Sequence, residues 1–187
     1  MVATTSLWLP ILLSAVGVFI VSSIVHMLLP YHRSDYAKLP DEDAVLDALR
    51  ARAIPPGDYA FPHAAGMEEM KDPAYTEKMK RGPAGTLTLW PPGEINMGKK
   101  LGAWFLFSVV VGIFTAYVAG TTLEPGADYL LVFRVTATAA FMAYAFAEWG
   151  NVIWFGKSTN TALKNTFDGL LFGLVTAGFF GWLWPGA

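Results

Sequence analysis

The sequence predicts an all-α membrane protein: a four-transmembrane-helix bundle with a small cytoplasmic insert between helices 1 and 2. Three observations predict it. First, four long apolar segments occupy residues 7–29, 101–123, 129–155 and 167–184 of the 187. A helix needs ~20 apolar residues to cross ~30 Å of hydrocarbon, and most of these segments reach that length. Second, Lys and Arg keep to alternate gaps between the segments. None precedes the first, ten lie between the first and second, two lie between the third and fourth, and the other gaps hold none. That is the positive-inside pattern. It predicts a bacterial-type inner membrane with the N- and C-termini outside (periplasmic) and residues 31–98 in the cytoplasm. Third, tryptophans mark segment ends, where amphipathic rings settle at the water boundary. Trp8 opens the first segment, Trp104 enters the second, Trp149 and Trp154 lie late in the third, and Trp182 and Trp184 close the fourth.

The first segment reads as an uncleaved span rather than a signal peptide. No basic residue precedes it, its apolar run is long, and no small-x-small cleavage pattern follows. Pro30 ends it. The division expected is helix 1 with its short outer tail at 1–30, the insert at 31–98, and helices 2–4 at 99–187.

The insert is polar and holds 11 acidic residues. Residues 40–52 fit a short helix, with Pro40 suited to the first position and Asp41, Glu42 and Asp43 to the positive end of the helix dipole. Residues 59–61 and 86–90 look like short strands, a possible small hairpin. Residues 67–70 and 73–80 read as helical turns. The insert is too small for an assured core of its own.

Short connections at 121–128 and 156–164 force neighbouring spans to run antiparallel. Small residues recur every fourth position: Gly112, Ala116 and Gly120 in span two, and Gly169, Gly173, Ala177 and Gly181 in span four. In lipid, such stripes let helix backbones approach closely. They fit packing within the bundle first, and a self-association or partner-subunit face second. The match between Gly112/Thr115/Ala116/Gly120 and Gly173/Thr176/Ala177/Gly181 raises a duplication, but a restricted apolar alphabet explains it as well.

Ionisable groups inside spans are costly and usually face protein. His26, Glu148 and Asp168 fall on three different spans, all toward the inner side. As a set they suit a divalent cation or a proton relay; singly, each suits a structural polar contact. Arg134 stands in the outer half of span three. It suits a pair with Glu124, a lipid head group, or snorkelling to the interface. A copper site from His32, His63, Met67, Met70, Met79 and Met97 has irregular spacing and gains no support from it. Zero cysteines exclude disulfides and thiolate sites.

No phosphate-binding loop, dinucleotide fingerprint, HExxH or GxSxG is present. The net charge of −2 gives no sign of nucleic-acid binding. The reading that follows is a non-catalytic inner-membrane protein, an accessory or scaffolding subunit in contact with lipid and with other membrane subunits or its own copies, and no cofactor is implied. The alternative is a small transporter or channel for a cation or protons that uses His26, Glu148, Asp168 and Arg134.

Overall fold

Side-chain caps start three of the long helices, and a left-handed glycine ends a shorter one. The computed structural model describes residues 1–186. A short 3-10 turn at Thr4–Leu7 leads into α1 (Trp8–Met27), and a second turn at Pro30–Ser34 follows it. Helix α5 (Met97–Thr122) starts where the Asn96 side chain accepts a hydrogen bond from the Lys99 amide at 2.9 Å. Helix α6 (Tyr129–Ala145) is capped by Asp128, which accepts from the Leu130 amide at 2.9 Å. Helix α7 (Ala147–Phe155) stops at Gly156, whose φ of 64° needs no Cβ. Helix α8 (Thr159–Trp182) begins behind Ser158, which accepts from the Thr161 amide at 3.3 Å.

Three stretches are long and apolar enough to cross a membrane: Thr4–Met27, Met97–Thr122 and Tyr129–Phe155. That fits a membrane-embedded protein. The third is interrupted at Phe146, between α6 and α7. Helix α8 has the length, but it opens eight residues before the predicted segment, on polar Thr159–Lys164 sequence, and its glycines, threonines and Asp168 dilute its apolar character. It is therefore not among the three.

The four long helical stretches pack in a closed ring: α1 against α5, α5 against α6, α6 against α8, and α8 back against α1. The small-residue stripes lie inside this ring. A Cβ added at Gly169 would stand 2.9 Å from the Ala145 Cβ, and one at Gly173 would stand 3.1 Å from the Phe141 backbone nitrogen. At Gly181 the added carbon would meet the Tyr129 ring at 2.6 Å. The α8 stripe thus lies directly against α6. On α5, Gly112 faces Ile11 of α1, and Gly120 faces the Val2 carbonyl, close enough that any Cβ would collide with it. Ala116 and Ala177 are fully buried.

At one end of the ring, Val2, Leu7, Ile11, Ala116, Ala119, Leu123, Val132 and Phe180 form the apolar core. Toward the other end, Trp104, Phe107, Tyr144 and Phe172 make an aromatic cluster with ring centroids 5.6–6.1 Å apart. The Trp104 indole donates to Ser22 Oγ at 2.9 Å, tying α5 to α1. Outward-facing positions stay apolar, including Ile20, Leu106, Phe114, Ile153 and Trp154.

The chain divides into two units: residues 1–35 with 96–187, and residues 36–95. The second unit falls within the expected insert of 31–98. Residues 31–35 belong with the helices because their side chains bond to α8 (below). The second unit holds α2 (Glu42–Ala51), β1 (Gly57–Phe61), α3 (Met67–Met70), α4 (Pro73–Arg81) and β2 (Gly85–Leu89). The two strands pair antiparallel, from Gly57 opposite Leu89 to Phe61 opposite Gly85. Asp72 caps α4 through the Ala74 amide at 2.8 Å. Among the described residues of this unit none is buried.

Candidate functional site

The last turn of α1 and the turn after it supply half of the site. Pro30 has no amide hydrogen and fixes its own φ, so α1 cannot run through it. The chain instead folds into the 3-10 turn that presents Tyr31, His32 and Ser34, followed by Asp35. The other half comes from α8, where Lys164 and Asp168 are one turn apart and share a face.

These groups form one continuous chain of hydrogen bonds. Lys164 Nζ donates to Asp35 Oδ1 at 2.7 Å, to Ser34 Oγ at 2.8 Å and to the Tyr31 carbonyl at 2.6 Å. His32 Nδ1 meets Asp35 Oδ2 at 2.6 Å, and His32 Nε2 meets Asp168 Oδ2 at 2.8 Å. The Tyr31 hydroxyl donates to Asp168 Oδ1. Ser34 is exposed, but the charged and aromatic members are shielded: His32 is 11 % exposed, Asp35 9 % and Asp168 4 %. Lys164 brings one positive charge to this group, and Asp35 and Asp168 bring two carboxylates.

The surroundings tune two groups. Burial, the hydrogen bond to Asp168 and the negative charge of Asp168 and Asp35 push the Tyr31 phenol above its ordinary value. Burial would raise the Asp35 carboxyl, but hydrogen bonds from Lys164 and His32, with their charges, outweigh it and hold it below the ordinary carboxylate value. Asp35 therefore stays ionised as the bridge between a lysine and a histidine.

His26 joins the group by stacking. Its ring centroid lies 4.4 Å from that of His32, at an angle of 38°. Among the described residues its ring nitrogens make no hydrogen bond. One ligand atom from each of His26, His32 and Asp168 falls within 4.8 Å of the others.

The residues expected from sequence are thus divided. His26 and Asp168 come together. Glu148 does not join them: it sits in the first turn of α7 and accepts from Asn151 Nδ2 at 3.2 Å. The expected three-helix set fails at Glu148 because the break at Phe146 starts a new helix, and Glu148 is taken up in that helix's own first turn. Arg134 stands apart, on the wall of an open groove of about 590 Å³ between α5 and α6, with Val111, Phe114, Val118, Val135 and Met142. It does not pair with Glu124, whose carboxylate instead accepts from the Met1 amino group at 2.6 Å. Among the described residues the Arg134 guanidinium has no hydrogen bond or ion pair.

Sequence reasoning missed Tyr31, Ser34, Asp35 and Lys164 and set His32 aside. A signal was present. The polar run Tyr31–Asp35 follows Pro30 directly, and Lys164 and Asp168 stand at the start of the fourth apolar segment. Comparison with protein-family models, curated proteins and solved structures finds no match to this chain.

Proposed function

We propose that this chain is a non-catalytic, four-span inner-membrane protein, an accessory or scaffolding subunit of a larger membrane assembly. Its N- and C-termini lie outside and residues 36–95 lie in the cytoplasm. The observation that carries the reading is the second unit. It has sixty residues with defined helices and a hairpin, yet none of its described residues is buried. A two-stranded hairpin without a covered face is marginal in water, and a unit this small buries too little to stand well alone. Such a unit gains its missing apolar cover from a partner subunit. A partner chain, a second copy included, also fits the α5–α6 groove, where a carboxylate would neutralise Arg134; a lipid phosphate would do the same.

Hydrogen exchange and native mass spectrometry test this on protein extracted in mild detergent. The reading expects a co-purifying membrane partner, with amides of 36–95 slow to exchange in the complex and fast in the separated chain. A lone chain whose 36–95 amides are already protected would overturn it. The second reading, a carrier of cations or protons, is favoured by the polar group around His32 and Asp168, without Glu148 or Arg134.

A further inference from the structure

We infer that His26, His32 and Asp168 bind one divalent cation of the zinc class, with Asp35 as the carboxylate that holds His32 in place for it. The inference stands on geometry independent of the partner reading. The three ligand atoms already lie within 4.8 Å of one another. Around a zinc ion with bonds of ~2.0–2.1 Å, tetrahedral ligand atoms lie roughly 3.3 Å apart. Side-chain rotation closes that difference, because His26 is in the last turn of α1 and exposed.

His32 is arranged as a metal-binding histidine. Its Nδ1 faces the Asp35 carboxylate at 2.6 Å, and Asp35 is itself anchored by Lys164 at 2.7 Å. A second carboxylate behind the ring fixes the tautomer and turns Nε2 outward as the ligand. That nitrogen meets Asp168 Oδ2 at 2.8 Å. Two lone pairs at this distance repel unless a positive centre joins them, and the centre is a proton or a metal ion. Among the described residues Asp168 has no lysine or arginine of its own: its two side-chain partners are the Tyr31 hydroxyl and His32. A buried carboxylate so placed gains most from a cation it shares with two imidazoles.

His26 supplies the independent observation. In the clamp of Tyr31, His32, Asp35, Lys164 and Asp168 it has no role, since its ring only stacks on His32. As a third ligand it has one. Two imidazoles and a carboxylate suit zinc and its first-row neighbours, while magnesium and calcium prefer oxygen alone. Three protein ligands leave a fourth position for water.

The test titrates chelator-stripped, detergent-purified protein with zinc chloride by calorimetry, and with cobalt chloride by visible absorption. His26→Gln is the informative variant, because it removes a ligand and breaks no hydrogen bond of the chain. The expected result is one equivalent of zinc on the native chain, binding at least tenfold weaker in His26→Gln and 10–100-fold weaker in Asp35→Asn. Without metal, His26→Gln should melt with the native chain; with zinc, only the native chain should gain in Tm. His63→Gln, in the exposed hairpin unit, should bind as the native chain does. Equal binding by the native chain and His26→Gln overturns the assignment. So does an equal loss in His63→Gln, or magnesium held as tightly as zinc.

Discussion

Gly173→Leu is the sharpest probe of how α8 meets α6. At this position an added Cβ would lie 3.1 Å from the Phe141 nitrogen, 3.2 Å from the Ala137 carbonyl and 3.2 Å from the Phe141 Cβ. Two of the three neighbours are backbone, so no side chain can swing aside. The helices must separate, and overpacking of this kind costs ~1–3 kcal/mol. Replacing a mid-helix glycine returns about 1 kcal/mol of helix propensity. For Ala the two nearly offset. For Leu, three further carbons enter the contact, and the net cost should be about 2 kcal/mol or more. At ~2–4 °C per kcal/mol for a chain of this size, Tm should fall by about 4–8 °C. The control is Gly178→Leu on the same helix, where an added Cβ meets nothing within 4 Å. It gains the propensity term without the clash. Thermal unfolding in detergent, followed by circular dichroism and tryptophan fluorescence, reads both. If Gly173→Leu melts with Gly178→Leu, the α8 stripe does not press on α6 and the packing argument is wrong.

Three further predictions rest on single contacts. Lys164→Met should cost roughly 2–3 kcal/mol by leaving Asp35 shielded with His32 as its one remaining side-chain partner among the described residues, and adding Asp35→Asn should recover part of it, measured as a double-mutant cycle of Tm or denaturant midpoint. Ser22→Ala should cost about 1 kcal/mol, because the Trp104 indole loses its partner at 2.9 Å, and should shift the tryptophan emission; an unchanged spectrum would place that indole elsewhere. Because the chain has no cysteine, single cysteines at Thr4, Thr122 and Gly186 should react with an impermeant thiol reagent in intact cells while one at Ala64 should not; the reverse pattern would invert the proposed threading.

Regular features were legible in the sequence because they repeat. Apolar length located α1, α5 and the α6–α7 pair, and the four-residue spacing of Gly169, Gly173, Ala177 and Gly181 marked a contact that the structure places against α6. Local chemistry was legible too: proline and glycine bracketed the hairpin, and Pro73 opened α4. What escaped was non-periodic. Nothing in the spacing of Tyr31, His32 and Asp35 shows that α8 will lie beside them, since their partners are 129–137 residues away. Depth alone grouped Glu148 with His26 and Asp168, but depth does not say which way a side chain points after a helix break. The start of α8 at Thr159 was hidden for a related reason. Its first turns are polar, and a search for apolar runs passes over them.

The bonds from Tyr31, His32 and Asp35 to α8 join the first long helix to the last, which carries a consequence for biosynthesis. Everything else that α1 touches in α5 emerges from the ribosome earlier, and non-local pairings wait for the whole intervening loop to close. Until α8 is made, Asp35 has no lysine, His32 has only one of its two carboxylates, and the aromatic side chains above them have an open flank. A nascent chain halted before α8 therefore exposes two imidazoles and a carboxylate at the end of an inserted helix. Arrest or premature termination in that window should yield a chain that differs from the finished one in these residues and in the uncovered faces of α1 and α6.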